Sequence, residues 1–253
     1  MPNVYGFNDP ELFWYGWIQL LSGAIVFMIG VLFVLKYLQR RQKVLLTTSL
    51  GFIFLGSGIF IGALGYISAL HAPTFQLGLS LLGGHVFWNT LGLSIAILSS
   101  VSLQFFSNYV FQRPRKTFVY LLGFFDILLS VYLFSFATFE FTAPLQGEQY
   151  RPAPQIVLLA FLILLLVPWI IILFRSYEFR KKEQDRIVRI GLTSILTGSF
   201  LTIISMIFYV LNAALRQKLE PLVWILGAIS ALIVYLGFGM PGWFRRLIQK
   251  QTA

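Results

Sequence analysis

The chain has 253 residues, 58% of them hydrophobic and 11% charged, with a formal net charge of +10 and no cysteine; its mean hydropathy is +0.81. Soluble domains carry about 45–50% apolar and about 25% charged residues, so a water-soluble globule is excluded and lipid is the expected solvent. The lack of cysteine excludes disulfides, thiol catalysis and cysteine metal sites.

A helix needs about 20 apolar residues to cross a hydrocarbon core about 30 Å thick. Seven segments meet that length: Leu12–Leu38, Val44–Leu70, Leu79–Phe106, Phe118–Phe139, Ile156–Phe174, Ile190–Leu215 and Leu222–Met240. The expected fold is an all-α integral membrane bundle of seven helices over residues 1–243, followed by a short amphipathic tail over 244–253. No cleavable signal peptide is expected, because Met1–Glu11 holds no basic residue and the first is Lys36, after the first apolar run.

Orientation follows from the basic residues. Alternate connections carry Arg40, Arg41 and Lys43, then Arg113, Arg115 and Lys116, then the run from Arg175 to Arg189. With Lys36, Arg245, Arg246 and Lys250 this places 16 of the 19 on one side. The other side has only Arg151, Arg216 and Lys218. Short basic loops stay in the cytoplasm, so the N-terminus is expected outside a cell membrane and the C-terminus inside. Basic residues set between apolar spans also explain the net charge without a nucleic-acid groove, so no nucleic-acid partner is expected. Trp14, Tyr15 and Trp17 at the outer end of span one, Trp224 at that of span seven and Trp243 at its exit read as interfacial anchors.

Two short similarities allow an internal repeat. Tyr37-Leu-Gln-Arg-Arg precedes Gly56-Ser57, and Tyr177-Glu-Phe-Arg-Lys precedes Gly198-Ser199 at a similar distance. Helices one to three and five to seven would then be parallel copies around a lone helix four.

An acid at a helix centre in a bilayer costs about 2.5–3.5 kcal/mol, which singles out Asp126, the acidic residue within span four. At 1.5 Å per residue it lies ~13 Å deep from Thr117. On span three, His85 and Asn89 are one turn apart, and Thr90 and Ser94 continue a polar stripe. A hydrogen bond between Asn89 and Asp126, with His85 above, is the expected buried node. Asn212 and Tyr209 on span six are placed to join it. The node reads either as a ligand or proton site, or as interhelical polar packing.

Other chemistry finds little footing. The two histidines, His71 and His85, are not spaced as metal ligands and no glutamate accompanies them. Gly-x-Ser-x-Gly and a P-loop are absent. Gly237-Phe-Gly239-Met-Pro-Gly242 follows a membrane helix instead of a strand, so it reads as a helix stop. No span has a lysine at its centre, which excludes a covalently bound retinal. Neither a cofactor, a metal nor an enzymatic activity is expected.

The segment Arg175–Arg189 mixes six basic residues with Glu178, Glu183 and Asp185. It reads as a charged helical extension with pairs such as Glu178–Lys182, meeting anionic headgroups. Alternatively, Arg180, Lys181 and Lys182 form a docking surface for a cytoplasmic protein. Span seven leaves the membrane as Tyr235-Leu-Gly-Phe-Gly-Met-Pro-Gly-Trp243-Phe-Arg245-Arg246. Trp243, Phe244, Leu247 and Ile248 then recur at helical spacing, suited to an amphipathic helix on the inner leaflet.

This exit resembles the boundary in bacterial and archaeal sensor histidine kinases. There a heptahelical input module closes on a similar Tyr-Leu-Gly-Phe…Pro…Trp-(Leu/Phe)-Arg-Arg pattern. The resemblance covers about a dozen residues and the overall topology, and no kinase domain is expected within these 253 residues. It implies either a sensor-like module that relays a signal to separate cytoplasmic proteins through Trp243, Arg245 and Arg246, or the input part of a longer chain cut at that boundary. The alternative expectation is a small-solute transporter of 3+1+3 helices with Asp126 as coupling site. Pro168 interrupts span five and span one has no proline, which favours the sensor, since transporters break helices at matching positions.

Overall fold

A computed structural model describes residues 10–70, 84–111, 116–142, 155–214, 219–241 and 244. Seven helices lie among the described residues: α1 (Pro10–Arg40), α2 (Lys43–Leu70), α3 (Gly84–Phe111), α4 (Lys116–Thr142), α5 (Gln155–Lys182), α6 (Arg186–Ala214) and α7 (Glu220–Gly239). No strand occurs among these residues. All seven are long and apolar enough to cross a membrane, so the chain is a multi-pass membrane protein in contact with lipid. The 20 residues of α7 give ~30 Å, one hydrocarbon thickness, and the 31 of α1 give ~46 Å and overshoot it.

The ends of the helices follow local chemistry. Arg41, at φ 54°, turns the chain from α1 into α2, and its N–H is bonded to Tyr37 O at 2.7 Å. Asp185 Oδ1 accepts the N–H of Ile187 at 2.7 Å, so an aspartate caps the start of α6. At the end of α7 the left-handed residue is Met240 (φ 32°), not one of the surrounding glycines. Lys36 Nζ donates to Gly239 O and stands 5.2 Å from the centre of the Tyr235 ring. A cation therefore holds the carbonyl end of α7, where the helix dipole is negative. Below, the two faces of the bundle are called the Trp14 end and the Lys36 end.

Six helices close a ring, with α1 against α2, α2 against α3, α3 against α5, α5 against α6, α6 against α7, and α7 back against α1. The fourth helix lies outside it, packed on α3 and barely touching α5. Its buried residues are Val119, Gly123, Asp126, Ser130, Leu133 and Ala137, while Tyr120, Phe124, Phe125, Leu128, Val131 and Phe134 are exposed. Burial at alternating steps of three and four residues makes one narrow seam, and the aromatic remainder faces lipid. Ser130 Oγ donates to Ser94 O at 2.8 Å, and Ser94 Oγ donates to Ser130 O at 3.1 Å, so the seam is partly polar.

Glycines set the closest approaches, and two of these interfaces are built alike. A Cβ on Gly58 of α2 would lie 2.5 Å from Gly92 O and 2.8 Å from Ala96 N on α3. One on Gly198 of α6 would lie 2.9 Å from Ser230 O and 3.0 Å from Val234 N on α7, again a carbonyl and the amide four residues on. Towards the Lys36 end, Gly51 faces Leu103 on α3 while Gly191 faces Gly237 and Met240 on α7. The residue matching Gly198 is thus Gly58, not Gly56, which instead packs on α1 against Phe27 and Gly23. Gly58 and Gly62 both serve contacts within the bundle.

Candidate functional site

The polar residues inside the bundle form two separate groups. The first lines a central cavity of about 110 Å³ in the Trp14 half, walled by α1, α2, α3, α5, α6 and α7. Leu55, Leu93, Phe161, Leu165 and Met206 give it an apolar wall. Gln19, Asn89, Thr202, Ser205, Tyr209 and Trp224 supply the polar groups, and among the described residues no Asp, Glu, Lys, Arg or His lines it. Two hydroxyls are already engaged: Thr202 Oγ1 donates to Ser230 Oγ at 2.9 Å and Ser205 Oγ donates to Val223 O at 2.8 Å. Trp224 Nε1 donates to buried Glu220 at 2.7 Å, and its ring meets Tyr209 edge-on at 6.1 Å. Trp224 therefore faces inward, whereas Trp14 and Trp17 are exposed as interfacial anchors should be.

Gln19 is 2% exposed. Its Nε2 donates to Ile59 O at 3.3 Å, and its Oε1 is buried with no partner. A Cβ on Gly62 would stand 3.1 Å from Gln19 Nε2 and 3.7 Å from Asn89 Oδ1, so both amides converge over the bare backbone of that glycine. Towards the Lys36 end the cavity gives way to aromatic packing. Phe33 pairs with Phe52 at 5.8 Å and Tyr235 at 5.3 Å, Phe52 with Trp169 at 6.4 Å, and Phe106 with Phe238 at 4.6 Å.

The second group sits one to two turns below the cavity floor at Ala96. Asp126 has no exposed surface. Its Oδ2 accepts from Gln104 Nε2 at 2.8 Å, the same nitrogen donates to Ser100 Oγ at 3.0 Å, and Ser100 Oγ donates to Leu164 O at 2.8 Å. The last bond has a sequence-encoded cause. Pro168 lies inside α5 and has no N–H, so the carbonyl four residues earlier, that of Leu164, loses its helical donor. The Ser100 hydroxyl takes the place of that donor. One chain of hydrogen bonds thus runs from α4 through α3 to the proline of α5. Asp126 Oδ1 and Gln104 Oε1 are buried and make no hydrogen bond.

Asp126 does not bond to Asn89. The third helix begins at Gly84 and runs to Phe111, five residues displaced from the expected span. The cause is the length of this helix, 28 residues or ~42 Å: Asn89 lies near the Trp14 end, and Gln104, ~22 Å further along at 1.5 Å per residue, meets Asp126. The expected site divides: Asn89 and Tyr209 share the cavity, and Asp126 belongs to the lower network. The side chains of His85 and Asn212 lie outside the described residues, as do Trp243, Arg245 and Arg246. Gln19, Gln104 and Ser100 were not singled out by sequence reasoning. The lone amide of span one and the residue four before Pro168 were the available signals.

Arg180, Lys181 and Lys182 are exposed on the last turn of α5. The ion pair nearby is Arg175–Glu178 at 2.6 Å, not Glu178–Lys182, and Lys181 instead lies over the Tyr177 ring at 4.4 Å. Among the described residues no group of three His, Asp or Glu is placed to hold a metal.

The chain matches no protein-family profile, no curated protein and no solved structure.

Proposed function

We propose that this chain is a heptahelical sensor in a cell membrane, with its Trp14 end outside and its Lys36 end in the cytoplasm. The basic residues flanking the Lys36 end support that orientation. In this reading a solute enters the cavity from outside, and the change in packing reaches cytoplasmic proteins without catalysis. The observation that carries it is the hydrogen-bonded chain from Asp126 to the Leu164 carbonyl, which lies between the cavity and the α5 proline. Proline positions are where helices bend, and below this one α5 runs to Arg180, Lys181 and Lys182. The resemblance of the α7 exit to the boundary of sensor kinase input modules agrees with an output surface at that end, including Trp243, Arg245 and Arg246.

The test uses the absence of cysteine. Lys43→Cys and Lys181→Cys, spin-labelled together in nanodiscs, report the distance between the α2 and α5 ends. A sensor shows a solute-dependent shift in that distance, lost in Ser100→Ala. A distance indifferent to every solute that occupies the cavity refutes the reading.

The repeated α2–α3 and α6–α7 interfaces favour a second reading, a 3+1+3 transporter with Asp126 as coupling site. In that case reconstituted liposomes show solute flux, and Asp126→Asn abolishes it.

A further inference from the structure

We infer that the central cavity is a binding site for a small uncharged solute that donates a hydrogen bond to Gln19 Oε1 and lays an apolar remainder against the walls. This deepens the sensor reading and rests on it only for the consequence of binding. Three features select the ligand class. Among the described residues the lining holds no Asp, Glu, Lys, Arg or His, and the nearest carboxylate, buried Glu220, already accepts from Trp224 Nε1, so a charged solute would leave water for an apolar space with no direct counter-charge, which is strongly unfavourable. Gln19 Oε1 is a buried acceptor with no partner, while its own Nε2 is spent on Ile59 O. Buried polar atoms are nearly always bonded, so this oxygen awaits a donor from the occupant. The space, about 110 Å³, is somewhat smaller than the roughly 150 Å³ apolar cavity that admits benzene, which favours a solute of about four to six non-hydrogen atoms.

The geometry also supplies a plug. Among the described residues, and apart from its own helix backbone and chain neighbours, a Cβ built on Gly62 meets within 4 Å only the two amide side chains, Gln19 Nε2 at 3.1 Å and Asn89 Oδ1 at 3.7 Å. Gly62→Ala therefore places a methyl group between them at the cost of a small shift in a flexible side chain.

The experiment is saturation-transfer NMR on the full chain in deuterated-lipid nanodiscs, with empty nanodiscs subtracted. Four probes are compared: butan-1-ol, its isomer diethyl ether, which has no donor, butylammonium and butyrate. Butan-1-ol gives a saturable signal, diethyl ether binds about fivefold more weakly, within the range of one neutral hydrogen bond, and neither ion binds. Gly62→Ala reduces butan-1-ol binding about fivefold or more, and Gln19→Leu brings butan-1-ol down to the level of the ether while leaving the ether unchanged. Equal binding of alcohol and ether, preference for either ion, or butan-1-ol binding indifferent to Gly62→Ala overturns the inference. If Gly62→Ala fails to fold, the ranking of the four probes on the unaltered chain decides alone. Butan-1-ol binding with this pattern but no shift between labels at positions 43 and 181 leaves the ligand class standing and removes the sensor. A label shift driven by a charged solute keeps the sensor and removes the class.

Discussion

Pro168 and Ser100 form a pair whose coupling can be measured. In the native chain the Leu164 carbonyl has no helical donor, and Ser100 Oγ supplies one at 2.8 Å from α3. Ser100→Ala removes that bond and also the one from Gln104 Nε2 at 3.0 Å. Interhelical hydrogen bonds in membranes contribute about 0.6 kcal/mol on average and up to about 1.7, so the substitution costs roughly 1–2 kcal/mol. Pro168→Ala restores an N–H four residues beyond Leu164 and closes the helical bond from within α5. In that background Ser100→Ala loses only the Gln104 contact. The double-mutant cycle should therefore show a coupling of roughly 0.6–1.7 kcal/mol, while the Gln104 contribution cancels. Reversible unfolding in mixed micelles with increasing SDS provides the four stabilities. Additivity within about 0.3–0.5 kcal/mol, the usual result for independent sites, would falsify the claim that Ser100 substitutes for the missing N–H.

Asp126→Asn keeps an acceptor for Gln104 Nε2 and should leave the unfolding midpoint within about 0.5 kcal/mol of the parent, whereas Asp126→Leu leaves one buried N–H of Gln104 without an acceptor, the other still on Ser100, at about 1–3 kcal/mol; similar midpoints for both would show that the bond does not hold α4. Gly58→Ala forces a methyl to 2.5 Å from Gly92 O, and backbone cannot yield cheaply, so the folded yield should fall sharply in size-exclusion profiles. Gly123→Ala meets only Val101 at 3.7 Å and should gain about 0.5–1 kcal/mol from helix propensity, read in the same SDS titration. Lys36→Met removes the cation from the end of α7 and should cost about 0.3–1 kcal/mol, with earlier exchange of the amides around Leu236–Met240 in hydrogen-exchange mass spectrometry.

The sequence by itself determined that the chain crosses a membrane as seven helices, because apolar length is a local property that needs no partner to be read. Lone groups inside a span were legible for the same reason, so Asp126 stood out before its surroundings were known. Partnership was not legible, because it depends on the register between antiparallel helices. Counting depth from opposite helix ends makes Asn89 and Asp126 level only if α3 is about 30 Å long; at 28 residues, ~42 Å, it sets Gln104 opposite Asp126 instead. Facing direction was hidden too: an indole near a helix end suits the headgroup region equally well whether it turns out, like Trp14, or in, like Trp224. An internal repeat is suggested in the sequence only by two short similarities, and the like contacts of Gly58 and Gly198 with neighbouring backbones lie two residues off the register those similarities give. Tertiary structure alone brought Gln19 to the cavity over Gly62 and set the Ser100 hydroxyl against the carbonyl that Pro168 leaves open. Those contacts join helices far apart in the chain, and only the packing of the ring decides which of them meet.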